Sequence, residues 1–149
     1  MPGYDAVLGS STYALVLEEF VLLLLDNASS LFHQDSLDFL GEMLAKYTDK
    51  RFLICYHIPP PTDLDRRVMD SDEWGRLKEI SDKYRDRIEC MFSGHIHGFQ
   101  EYFLDGYRIF ITGGGGAALY DLESDELKSH HSIKVSFNGN TVAIDVVTV

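Results

Sequence analysis

The order of apolar runs along the chain is the feature that most constrains its fold. Residues 20–25, 51–56 and 88–92 form three short apolar runs of strand length. Between them, residues 34–47 and the segment that begins at Ser71 place their apolar side chains at helical spacing. A strand–helix–strand–helix–strand order predicts right-handed crossovers and a core of parallel strands. The predicted fold class is therefore α/β.

The segments on either side of this core are predicted to be antiparallel. Residues 12–17 are β-prone and join the first apolar run at Glu18-Glu19, which predicts a hairpin. Two further hairpins are predicted with turns at Asp105-Gly106 and Asn138-Gly139. Ser71 is the predicted N-cap of the second helix. At 149 residues the chain has the length of one domain, residues 1–149.

The composition and apolar pattern of the chain disfavour some partners and predict a compartment. Aspartate and glutamate total 24 against 13 lysines and arginines, so the formal charge is −11 and nucleic acids and anionic membranes are disfavoured. This acidity promotes solubility and would also suit the uptake of divalent cations. Cys55 and Cys90 lie in apolar runs and are predicted to be buried without a disulfide. The amino terminus lacks a signal-peptide pattern and no apolar run could span a bilayer, which predicts a cytoplasmic protein.

Polar residues follow each of the three predicted parallel strands. The strands end at residues 26–27, at His57 and at Gly94-His95, and ligands in open α/β sheets bind beyond the carboxyl ends of strands. Flanking glycines leave space for an ion or ligand near His95 and His97. Taken alone, His57 also fits a strand-end histidine bonded to a loop carbonyl. On one rim with the other two imidazoles, metal ligation is favoured.

Two kinds of metal site are compatible with these residues. Three neutral imidazoles would close three positions around zinc and leave the fourth for water. A site with two ions would also need anionic ligands. The nearest candidates, each of which also fits a turn or surface position, are Asp26, Asn27, Asp63 and Asp65.

A run of four glycines follows the strand predicted at residues 108–112. Gly113, Gly114 and Gly115 could bring backbone N–H groups close to an anion, or could form a flexible turn. The run is not a P-loop, because no Lys-Ser or Lys-Thr follows it. The adjacent His130 and His131 are predicted to point to opposite faces of a strand and not to share an ion.

Four blocks of the sequence together carry a family resemblance. FVLLLLDN, LICYHIPPP, CMFSGHIHGFQ and RIFITGGGGAALYDL resemble, in this order, the carboxyl-terminal half of calcineurin-like metallophosphoesterases. The resemblance implies part of a four-layer α/β/β/α sandwich, hydrolysis of phosphoesters and a centre of two divalent ions (Mn, Fe, Zn or Mg). It implies that His57 and His95 bind one metal and His97 the other. The residues expected to line the site are Asp26, Asn27, Gly94, Gly113, Gly114 and Gly115.

The chain also departs from the family pattern. The amino-terminal blocks Asp-x-His, Gly-Asp and Gly-Asn-His-Asp/Glu do not occur in it, and these would supply the bridging aspartate and other ligands. We therefore expect one metal ion or none and little activity by the chain alone, and we assign no catalytic residue. The expected partners are a phosphoester substrate and either a second copy or a complementing amino-terminal segment. The alternatives are a non-catalytic fragment or interaction module and a mononuclear three-histidine zinc hydrolase.

Overall fold

A computed structural model describes residues 9–63, 65–122 and 128–148. The predicted alternation of strands and helices is confirmed, and both helices occur where the apolar spacing placed them. The elements described are β1 (Tyr13–Val16), β2 (Phe20–Leu24), α1 (Gln34–Lys46), β3 (Arg51–Tyr56), α2 (Ser71–Ser81), a 3-10 helix (Asp82–Arg87), β4 (Ile88–Ser93), β5 (Phe99–Leu104), β6 (Tyr107–Thr112), β7 (His131–Asn138) and β8 (Thr141–Thr148).

The main sheet has six strands in the order β1-β2-β3-β4-β6-β5. Strands β2, β3, β4 and β6 are parallel, whereas β1 and β5 are antiparallel edge strands. The hairpin β5–β6 confirms the turn at Asp105-Gly106. The sequence did not predict that β6 also joins the parallel core. It does so because Ile109, Phe110 and Ile111, whose side chains alternate between the two faces of the sheet, are all apolar and are buried beside β4.

Both helices pack on one face of this sheet. α1 begins at Gln34 as predicted, whereas α2 begins at Ser71, the residue that was predicted to be its cap. The N-cap is Asp70, not Ser71, because Asp70 has extended backbone and its carboxylate accepts a hydrogen bond from the N–H of Glu73 at 2.7 Å. The buried core on this face includes Val21, Leu23, Phe52, Ile54, Met91, Leu37, Leu40, Leu44, Trp74 and Leu77.

The β7–β8 hairpin packs on the opposite face of the main sheet. Its turn is Gly139-Asn140, one residue later than predicted, because Asn138 pairs with Thr141. Within the described ranges the layers are therefore helices, a six-stranded sheet and a two-stranded sheet; the fourth layer of the sandwich stays a prediction. The second core consists of Phe20, Leu53, Cys90, Phe92 and Phe110, with Ile133, Val135, Val142 and Ile144 from the hairpin.

The hairpin leaves apolar surface at the β1 edge uncovered. Ala14 packs toward the helices, so its neighbours Tyr13 and Leu15 face the opposite side of the sheet. Tyr13 is 44% exposed, Leu15 is 49% exposed and Leu17, just beyond the strand, is 43% exposed. In the part of the chain described, no helix has the length and apolar character needed to cross a membrane.

Candidate functional site

The predicted site residues lie on one rim of the main sheet. Residues 26–27 follow β2, His57 follows β3, His95 follows β4, and residues 113–115 follow β6. These four strands are parallel neighbours, so their carboxyl ends point to the same edge of the sheet. The structure thus gathers segments that are far apart in the chain.

Asn27 holds the backbone of the rim in place. It is completely buried, and its Oδ1 accepts hydrogen bonds from the N–H groups of His57 (2.8 Å) and Ile58 (2.9 Å). Its Nδ2 donates to the carbonyl oxygen of Ile58 at 2.9 Å. Since both ends of this amide bond to the backbone of His57 and Ile58, Asn27 positions His57.

His57 and His95 form the centre of the rim. His57 Nε2 lies 3.1 Å from His95 Nδ1, and the two rings meet at 74° with centroids 5.0 Å apart. The N–H of Gly94 donates to the carbonyl oxygen of His57 at 3.0 Å. This backbone bond ties the end of β4 to the end of β3 and therefore fixes the approach of the two imidazoles.

The environment of His95 favours its neutral form. Burial lowers the pKa of His95 from its ordinary value of 6.5, and the neighbouring His57 acts in the same direction. The guanidinium of Arg67 and the imidazole of His97 lower this pKa further, whereas the carboxylate of Asp65 raises it. A neutral imidazole keeps a free lone pair, which is the form that ligates metals.

His95 also has a strained backbone. Its φ is +63°, in the left-handed region that side chains with a Cβ rarely occupy. Gly94 and Gly98 at the two ends of the Gly-His-Ile-His-Gly loop do not relieve this strain, because His95 itself has the positive φ.

We expect His95→Gly to be more stable than His95→Ala by about 1 kcal/mol, because glycine adopts this φ without a clash. Both variants lose the imidazole, so the difference reports the backbone alone. Urea unfolding midpoints measure it. At His97, which does not have a positive φ, the order should reverse and glycine should be the less stable variant. Equal stability of the two His95 variants would contradict the strain.

His97 contacts a different set of residues from this pair. Its Nδ1 lies 2.8 Å from the carbonyl oxygen of Ala118, and its ring stacks on Tyr120 at 4.3 Å and 19°. A carbonyl only accepts, so Nδ1 is the donor, and in the neutral imidazole the lone pair lies on Nε2. Within the described residues, no three His, Cys, Asp or Glu side chains are grouped closely enough to hold a metal ion. The three histidines predicted as ligands are therefore divided between a pair and a separate third member.

Asp26 brings negative charge to the rim. The N–H of Ala28 donates to its Oδ1 at 3.0 Å, and this bond lowers the pKa of Asp26, with further lowering by Ser11, His33 and His57. Asp26 and His57 both line a cavity of about 590 Å³, together with apolar side chains such as Tyr13, Leu24 and Cys55. The other two predicted carboxylates lie in the loop after β3, where Asp63 is exposed and Asp65 pairs with Arg67.

The glycine run after β6 provides close packing. A Cβ on Gly113 would lie 2.1 Å from the carbonyl oxygen of Ile96, and one on Gly114 would lie 2.3 Å from that of Ser129. At Gly115 no described atom lies within 4 Å of such a Cβ. The first two glycines hold the end of β6 against neighbouring backbone, whereas Gly115 and Gly116 face space that an anion could enter.

The two adjacent histidines at the start of β7 bond to different groups. His130 Nδ1 lies 3.1 Å from the carbonyl oxygen of Gly114. His131 is buried, and its Nε2 lies 3.0 Å from Thr112 Oγ1. They engage separate partners, and the absence of a shared ion stays a prediction.

Sequence reasoning missed two features of the rim. One is the supporting role of Asn27, for which the only signal is an amide directly after a buried strand. The other is a stack in which the guanidinium carbon of Arg67 lies 3.7 Å from the ring centroid of Tyr120. Both residues of this stack lie in irregular loops, where no periodic pattern could have paired them.

Comparisons with known proteins identify the fold more clearly than the chemistry. No family model and no curated protein matches the sequence. The structure is similar to that of GAP50, the anchor in the inner membrane complex of Plasmodium, with a TM-score of 0.67 and 10% identity over 92% of this chain and 49% of that one. It also matches a putative 5'-nucleotidase from Staphylococcus aureus in complex with α-ketoglutarate, with a TM-score of 0.48 and 11% identity over 92% of this chain and 28% of that one. This chain thus spans about half the length of GAP50, and that similarity shows a shared fold alone.

Proposed function

We propose that the chain carries metal-binding histidines of a metal-dependent phosphoester hydrolase of the calcineurin-like kind. The observation that carries this proposal is the pair His57 and His95, whose facing nitrogens lie 3.1 Å apart at the ends of adjacent parallel strands. The order of the His-x-Pro-Pro and Gly-His-x-His-Gly motifs in the sequence supports it.

The spacing of this pair fits a shared ion. Zinc–nitrogen bonds of about 2.0–2.1 Å place two ligand nitrogens about 3.3 Å apart at a tetrahedral angle and about 2.9 Å apart at a right angle. The 3.1 Å between His57 Nε2 and His95 Nδ1 lies between these values. Little movement would therefore be needed for both to bind one divalent ion.

His97 is prepared as a ligand in a different way. Its Nδ1 donates to the carbonyl oxygen of Ala118, which leaves Nε2 to bind a metal through its lone pair. Metal-binding histidines commonly bond to a carbonyl through their other nitrogen in this manner. In the proposed function His97 would contact a second ion. When bound, a divalent ion polarises a phosphoryl oxygen and supplies hydroxide at neutral pH. The histidines of this chain would hold the ion and orient it.

Charge limits what the chain does alone. Imidazoles bring no negative charge, and two ions about 3.5–4 Å apart require carboxylate ligands. Asp26 interacts electrostatically with His57 and would therefore offset part of the positive charge of one ion. We therefore propose that this chain binds one ion at most, and that the other ligands come from a complementing segment or from a second copy.

The open apolar surface supports a partner of this kind. Tyr13, Leu15 and Leu17 are exposed at the edge of the main sheet, and Tyr13 lines the cavity that reaches His57. Contiguous apolar surface next to an unpaired strand edge favours association with another polypeptide. The formal charge of −11 opposes binding to nucleic acid or to an anionic membrane.

Metal content tests the proposal. The purified chain is loaded with Zn²⁺ or Mn²⁺, freed of excess ion by gel filtration and assayed by mass spectrometry of the metal. We expect His57→Ala and His95→Ala to weaken binding by about tenfold or more, and His97→Ala to weaken it less. The control is His130→Ala, which removes an exposed imidazole that bonds to Gly114 and should leave binding unchanged.

Two outcomes would contradict parts of this proposal. Equal metal content in the wild-type chain and in a variant lacking all three histidines would refute the metal site. Strong hydrolysis of p-nitrophenyl phosphate by the chain alone, abolished by His95→Ala, would refute the need for a complementing segment.

A second candidate is a non-catalytic interaction module that keeps the fold. The observation that favours it is the separation of His97 from the pair, since the described residues do not form a set of three ligands. On this reading the variant lacking His57, His95 and His97 would retain its metal content, stability and partner binding. The same variants therefore distinguish the two functions.

A further inference from the structure

A stack of three side chains stands beside the histidine pair. The guanidinium of Arg67 lies 3.7 Å from the ring centroid of Tyr120, and the ring of His97 stacks on Tyr120 at 4.3 Å. Two groups at these distances cannot share one face, so Tyr120 lies between them. The N–H of Tyr120 also donates to the carbonyl of His97 at 3.0 Å. The stack therefore holds Arg67 in a defined place next to the Gly-His-Ile-His-Gly loop.

Asp65 orients the same guanidinium from one side. Its Oδ1 accepts a hydrogen bond from the backbone N–H of Arg67 at 2.8 Å and lies 3.4 Å from Arg67 Nε. The Asp65 side chain is 13% exposed, whereas that of Arg67 is 47% exposed. Among the residues that the structure describes, the two terminal nitrogens of Arg67 contact no acceptor. One edge of the guanidinium is thus fixed and the other remains available to solvent.

The charge of Arg67 reaches the rim. Among the charged groups that act on His95, Arg67 is the one that is cationic at every physiological pH. The chain as a whole carries a formal charge of −11, and Asp26 and Asp65 add local negative charge near the histidines. An anion that approaches this rim therefore needs a nearby fixed cation to offset the repulsion.

We propose that Arg67 binds the phosphate group of the substrate at the histidine rim, and that Tyr120 and Asp65 position it. This inference rests on the proposed function for the identity of the anion. A planar guanidinium with one free edge can donate two parallel hydrogen bonds to two phosphate oxygens. Because Tyr120 has Arg67 on one face and His97 on the other, it does not offer a free face to a base or sugar. The recognised part is the phosphate.

Titration with inorganic phosphate tests this role. Calorimetry is performed on the full chain, both free of metal and after loading with Zn²⁺. We expect Arg67→Gln to weaken phosphate binding about tenfold. Arg67→Lys should weaken it less, because an ammonium keeps the positive charge but cannot donate the two parallel hydrogen bonds of a guanidinium. The matched control is Arg66→Gln, which removes the same charge from the neighbouring exposed residue and should change the affinity less than about twofold.

A second pair of variants separates positioning from folding. Tyr120→Ala should weaken phosphate binding because the guanidinium loses its platform, and Tyr120→Phe should restore it because the ring remains. Melting temperatures are measured for every variant. If Arg67→Gln lowers the melting temperature but leaves the phosphate affinity unchanged, Arg67 only stabilises the fold and the inference is overturned.

The remaining outcomes separate this inference from the proposed function. Equal weakening by Arg66→Gln and Arg67→Gln would show a general charge effect and overturn it. If the chain binds zinc but no phosphate in either state, the inference fails and the metal site stands. If the chain binds no metal and phosphate binding still requires Arg67, the inference stands and the metal site fails.

Discussion

Asn27→Ala is expected to lower the free energy of unfolding by about 3 kcal/mol or more. Asn27 is fully buried and makes three hydrogen bonds to the backbone of His57 and Ile58. Alanine leaves two N–H groups and one carbonyl oxygen without these partners; the N–H and carbonyl of Ile58 are buried and the N–H of His57 is part-buried. Each unsatisfied buried group costs about 1–3 kcal/mol. Urea unfolding followed by circular dichroism measures the loss.

The matched control is Asn138→Ala. Asn138 is exposed at the end of β7, and its carbonyl oxygen, which alanine retains, accepts a hydrogen bond from Thr141 Oγ1 at 2.7 Å. We expect a change within about 0.5 kcal/mol. Asn27→Ala should in addition weaken metal binding at His57, because the backbone that carries this imidazole loses its support. Similar stability losses for the two variants would contradict the assigned role of Asn27.

Gly113→Ala is expected to destabilise the fold by about 3 kcal/mol or more, to the point where folded protein is difficult to obtain. The added Cβ would lie 2.1 Å from the carbonyl oxygen of Ile96 and 2.7 Å from its carbonyl carbon. These are backbone atoms of the Gly-His-Ile-His-Gly loop, so the clash is relieved only if the loop or the end of β6 moves. The measurement is the unfolding midpoint, or the soluble folded yield if no transition is observed.

Gly115→Ala provides the control two residues later. No described atom lies within 4 Å of a Cβ at Gly115, and its φ is not positive. Alanine there should be neutral or stabilise by up to about 1 kcal/mol, because it restricts the unfolded chain. If both variants fold equally well, Gly113 does not pack closely against Ile96.

Much of the fold follows from local patterns. Hydrophobic periodicity predicted α1 and α2, and the dipeptide Asp105-Gly106 predicted the β5–β6 turn; each is a property of neighbouring residues. Boundaries were less secure, as the N-cap at Asp70 and the turn at Gly139-Asn140 show. The place of β6 beside β4 was not predicted, because pairing between distant strands depends on which buried surfaces meet and not on local spacing.

The candidate site divides in the same way. The residue pattern alone placed His57, His95 and His97 at strand ends, since a break from apolar to polar residues marks where a buried strand reaches the surface. Only the packing of distant loops decided that His57 meets His95, that His97 turns to Ala118, and that Arg67 stacks on Tyr120. Those contacts join segments separated by tens of residues, and their geometry depends on backbone bonds and close packing that a one-dimensional pattern does not encode. The histidines are thus visible in the sequence, and their division into a pair and a separate third histidine is a property of the tertiary structure.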